Sequence, residues 1–66
     1  MDIREAILKE HSKANTLGIS QWIGNKPDRF DLLMDLFLHD EYRVVQRAAW
    51  VVCECALRYP ALIFSH

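Results

Sequence analysis

The side chains best suited to chemistry near neutral pH are Cys53, Cys55, His11, His39 and His66, as nucleophiles, bases or metal ligands. Cys53 and Cys55 flank Glu54, and on a helix two residues that far apart point about 200° away from each other. Neither a mutual disulfide nor joint chelation of one ion suits that geometry. The histidines stand at no recognisable metal-ligand spacing, and none has an identifiable nucleophile or orienting carboxylate beside it. His39 next to Asp40 reads as turn chemistry. Phosphate binding would call for a glycine-rich loop, whereas Gly18 and Gly24 are isolated. The sequence therefore offers no catalytic residue, no cofactor-binding residue and no metal ligand, and its thiols read as reduced and structural.

Binding chemistry is better represented. Trp50 falls on a helical sector with Arg43, Gln46, Arg47 and Glu54, and Trp and Arg are the residue types enriched among interface anchors. An arginine stacked on the indole would add cation–π attraction. Trp50, Arg43 and Arg47 are thus the candidate protein-contact residues. The alternative for Trp50 is that a neighbouring helical layer covers it as core. Asp28, Asp31 and Asp35 form an acidic sector that reads as a solvated helix face.

These residues must be carried by helices. Three stretches repeat their apolar positions at helical spacing, and no stretch alternates long enough for a strand pair. Asp2 with Glu5 resembles a capping box that starts a helix over about 3–23, with Ile3, Ile7, Ala14 and Gly18 on one face and Thr16 and Ser20 on the polar stripe. A break near Ser12 is the variant of that reading. Gly24-Asn25 ends it, and Pro27 suits the first turn of a second helix over about 27–38, with Phe30, Leu33, Met34 and Phe37 as its core stripe. Asp40 is placed to cap a third helix over about 41–58, whose expected core line is Val45, Ala48, Ala49, Val52 and Ala56. On that phase, Ala49→Arg should be disruptive. Pro60 ends the third helix and opens a fourth, and the short apolar run from Ala61 leads to the expectation that the chain is the amino-terminal part of a longer protein.

Length and composition set the outer limits. Sixty-six residues, 52% of them hydrophobic and 26% charged, provide for one small unit and are too apolar for a disordered tail. A formal net charge of −1 does not favour nucleic acid as a partner, because phosphate affinity needs clustered cations. The mixed charges of Met1-Asp2-Ile3-Arg4-Glu5 do not resemble a signal peptide, and no window is apolar enough to span a membrane. A cytoplasmic location is expected.

Asp40, Val45, Ala49 and Val52, within the run from Asp40 to Val52, together resemble the first helix of a HEAT repeat. In that family a loop aspartate precedes a Val-Arg, a buried alanine and a further apolar position. Here Gln46 stands where the arginine would be and Arg47 is displaced by one. The resemblance implies an all-α, HEAT-like or armadillo-type superhelix of stacked antiparallel hairpins, of which this chain would hold about one and a half repeats. It further implies a non-catalytic interaction or scaffold module. A helical-repeat enzyme, such as a DNA-repair glycosylase, with its active site beyond residue 66 is the alternative, and a small self-associating bundle is another. A protein partner or a second copy of the chain is the expected ligand.

Overall fold

A computed structural model describes residues 1–64. Its first helix, α1 (Ile3–Lys9), starts as the sequence predicts, with the Asp2 side chain accepting from the Glu5 N–H at 3.1 Å. It then ends early. Glu10 is extended (φ −157°, ψ 137°), and Ser12 caps a separate helix α2 (Lys13–Ile23) by accepting from the Asn15 N–H at 3.1 Å. A Ser cap of this kind contributes about 1 kcal/mol. The single helix expected over 3–23 is therefore two helices, and the break resets the helical phase. Thr16 and Ser20, expected on the polar stripe, are buried, while Ala14 and Gly18 face solvent. Both hydroxyls remain satisfied because they donate back along the helix, Thr16 to the Ser12 carbonyl at 3.0 Å and Ser20 to the Leu17 carbonyl at 2.8 Å.

Gly24 closes α2 with φ 53° and ψ −140°, a conformation open in practice only to glycine. Beyond it, Pro27 occupies the first turn of α3 (Pro27–His39). Arg29 locks this corner: its guanidinium lies 4.1 Å from the centroid of the Trp22 ring and donates to the Trp22 carbonyl at 2.6 Å. Phe30 and Leu33 are fully buried, with Met34, Leu36 and Phe37 packed against them, as the core stripe requires.

The longest helix, α4 (Tyr42–Arg58), is the hub, packing against α1, α2, α3 and the short α5 (Ala61–Phe64). Its core line is Val44, Ala48, Val51 and Cys55. Val45, Ala49, Val52 and Ala56 lie on its half-buried shoulder, so the expected phase was turned by one residue. The error has a physical source: the apolar residues come in adjacent pairs, 44/45, 48/49, 51/52 and 55/56, which write two neighbouring stripes with the same period. Ala48, with 0% exposure, keeps the backbone of the hub close to its neighbours, and Phe30 supplies bulk from α3. Leu62 of α5 is buried, whereas Phe64 is exposed.

Asp40 does not cap α4 at the N-cap position, which Glu41 holds without a side-chain cap. One residue upstream, it accepts from the Glu41 N–H at 2.7 Å and takes a two-pronged ion pair from Arg4 at 2.9 and 3.2 Å. The start of α1 is thereby pinned to the α3/α4 turn. The described residues are all-α and form a compact five-helix bundle around α4, 27 × 24 × 19 Å in extent.

Two predictions follow from this packing. Ala48→Arg buries an unpaired charge at the hub and should cost roughly 3 kcal/mol or more in urea unfolding, while Ala49→Arg, on the half-buried shoulder, should cost clearly less. Equal losses would mean that α4 is rotated. The Arg4 hydrogen bond holds the Asp40 carboxyl below its usual pKa. A carboxyl depressed in the folded state stabilises above its unfolded pKa, about 4, and the gain disappears as pH falls through the lower folded value. Thermal melts should therefore show an advantage of the native chain over Asp40→Asn above about pH 4 that closes with further acidification.

Candidate protein-contact face

Turned away from the core, α4 carries a second line of residues: Tyr42, Gln46, Trp50, Cys53 and Leu57, spaced by three or four. Every member is exposed, Tyr42 at 76%, Trp50 at 54% and Leu57 at 80%. Scattered apolar residues on a surface mean little, but three large ones in register along one helix form a patch. The Gln46 amide donates to the Tyr42 hydroxyl at 2.9 Å and fixes that ring along the helix.

Trp50 is held from the side. The His11 ring meets the indole edge-on, with centroids 4.8 Å apart and planes at 75°. His11 reaches this place because the extended residues between α1 and α2 carry it across to α4. Beside the indole opens a groove of about 350 Å³ between α2 and α4, lined by Lys13, Thr16, Trp50, Cys53 and Glu54. The arrangement holds a large ring in one orientation beside a shallow hollow, with an amine and a carboxylate close by. That suits docking of an amphipathic side chain.

Of the three residues singled out from the sequence, Trp50 and Arg43 lie exposed on this side of α4. Arg47 is turned inward. Its Nη1 donates to the carbonyl oxygens of Leu8 at 3.1 Å and Ile7 at 3.4 Å, closing the end of α1. Within residues 1–64 no helix covers Trp50, which is half exposed. Sequence reasoning missed Tyr42, Leu57 and His11 as members of the face. Tyr42 and Leu57 stand in register with Trp50 and were legible on that ground; His11 was not, because its approach depends on the α1/α2 break.

The other candidates settle simply. His39 ends α3 and is exposed. Asp28, Asp31 and Asp35 share an exposed face of α3. His66 lies outside the described residues. Glu54 accepts from Arg58 at 3.3 Å. Among the described residues no group of three His, Cys, Asp or Glu side chains is placed to hold a metal ion, and no helix is long and apolar enough to cross a membrane. Compared with protein-family models, curated proteins and solved structures, the chain finds no match.

Both thiols are free, Cys53 exposed and Cys55 in the core, and burial, with a smaller push from the Glu54 charge, raises the Cys55 thiol to about 11. Since the thiolate is the reactive form, an aromatic disulfide reagent at pH 8 should consume one thiol of the native chain rapidly and the second only at the rate of unfolding. Peptide mapping should place the fast label on Cys53. Fast labelling of both would contradict the core position of Cys55.

Proposed function

We propose that this chain is a non-catalytic protein-contact module whose contact face is the outer side of α4. The observation that carries the reading is the register of Tyr42, Trp50 and Leu57, three large apolar side chains kept in solvent along the helix whose opposite side is the core. Leaving each of them exposed forgoes about 1.5–3 kcal/mol that burial would return, and a partner surface recovers it. Arg43, exposed beside the stripe, supplies the polar rim that such interfaces carry. The finer family reading, in which α4 opens a HEAT-like repeat and α3 closes the one before it, draws its support from the packing of α3 against α4 across the Asp40 turn. Two free thiols fit a reducing compartment such as the cytoplasm.

A photoreactive amino acid at position 57 tests the face directly. Expressed in cells and illuminated, the chain labelled at 57 should become covalently joined to a protein, while the same group at exposed Gln21 on α2 should give none. Adding Trp50→Ala should abolish the adduct without loss of helicity by circular dichroism. Equal adducts at both positions, or insensitivity to Trp50→Ala, would overturn the assignment of the face.

A further inference from the structure

The outer stripe of α4 is close to self-complementary, and we propose that its occupant is a second copy of this chain, docked α4 against α4 in antiparallel sense about a two-fold axis. This rests on the contact-face reading and names the partner. About a point between Ala49 and Trp50, Tyr42 and Leu57 are equidistant, and so are Gln46 and Cys53. A two-fold axis through that point therefore sets Tyr42 of each copy against Leu57 of the other, and Gln46 against Cys53. In an isologous interface each contact occurs twice, so a stripe that reads alike from both ends is what such an interface needs.

Size and charge agree with this pairing. At the centre the axis brings the two Trp50 rings together on one flank, one residue apart in level, and half-buried Ala49 adds no bulk beside them. Exposed Arg43 lies toward one end of the face and Glu54 toward the other, on the same side of the helix as Trp50. Antiparallel docking carries Arg43 of one copy to the groove of the other, where Glu54 and the Trp50 ring offer a carboxylate and a π-face. Parallel docking would instead leave Arg43 about 16 Å along the axis from Glu54 of the second copy. The area required is a small share of the molecule. A standard interface takes about 800 Å² from each partner, under a fifth of the 4299 Å² surface. The 17 residues of α4 run about 25 Å, the length of the molecule, and the α2/α4 groove widens the contact on one flank.

Sedimentation of the 66-residue chain over a concentration series should show the 7.7 kDa monomer giving way to a species of twice that mass. Leu57→Asp and Trp50→Ala should each weaken this association at least about tenfold while keeping native helicity. The register is tested by Gln46→Cys in the presence of the native Cys53. Within one helix these two positions lie about 10.5 Å apart, beyond the reach of a disulfide. Mild oxidation should therefore yield a covalent dimer whose mapped linkage joins 46 of one copy to 53 of the other, faster than a Gln21→Cys control. A chain monomeric to about 1 mM, or linkages of 46 to 46 and 53 to 53, would overturn the proposal. If the chain is monomeric but photocrosslinking at 57 captures a different protein, the second-copy inference fails while the contact face stands; no capture at 57 at all would remove both.

Discussion

The closure of α1 at its carboxyl end is the constraint on which the arrangement of the other helices depends. A helix of seven residues exposes carbonyl oxygens over its whole last turn, and α1 has no glycine to fold the chain back over them. Distant donors do this instead. Asn15, from the first turn of α2, donates to the carbonyls of Ala6 at 2.8 Å and Glu10 at 2.7 Å, and Arg47, from the middle of α4, reaches those of Ile7 and Leu8. Three helices are thus tied at one point by hydrogen bonds that fix both their separation and the rotation of α4. With Arg47 directed at α1, the Val44, Ala48, Val51 and Cys55 line faces the core and the Trp50 line faces outward. A different rotation would leave those carbonyls without their partners, an expensive outcome in a half-buried setting.

The second tie, Arg4 to Asp40, works at the other end of α1. Together the two arginines hold a helix too short to be stable by itself flat against the hub. The apolar part of the bargain is Ile3 and Ile7, both buried on the face that meets the rest of the core. As an exposed ion pair, Arg4 and Asp40 add orientation more than stability, since surface pairs are screened and contribute little. The burden of stability falls on Ile7, Ile23, Phe30, Leu33 and Leu62, which five helices bury completely in a very small volume.

Much of this was legible in the amino-acid sequence, and the parts that were not share one cause. Asp2, Gly24, Pro27 and Pro60 act locally, through caps and fixed backbone angles, and the helix ends they mark fall within a residue or two of expectation. The core stripe of α3 was equally legible, because Phe30, Leu33 and Phe37 are bulky and stand apart from the aspartates. What periodicity could not settle was rotation. In α2 the phase carried over from α1 across the extended residues at 10–12 placed Thr16 and Ser20 outside; in α4 the paired apolar residues allowed two phases, and the choice between them is made by Arg47, 39 residues away from Leu8. The contact face suffered from the same limit. Trp50 announced itself by type, but His11 joins it only through the tertiary fold, and Arg47 leaves the surface for the same reason.

The outer stripe follows from the composition of α4. Paired apolar residues make this helix hydrophobic over more than one face, which a hub with neighbours on two sides requires. Among the described residues no helix covers the outer side of this 17-residue helix. The side left bare carries Tyr42, Trp50 and Leu57 where lysine or glutamate would cost the core nothing. Polar residues there would make α4 an ordinary surface helix. Instead the indole is braced by His11 and the phenol by Gln46, so both rings meet solvent already oriented. Side chains ordered in advance surrender less entropy on docking, and it is this saving that the proposed contact face would draw on.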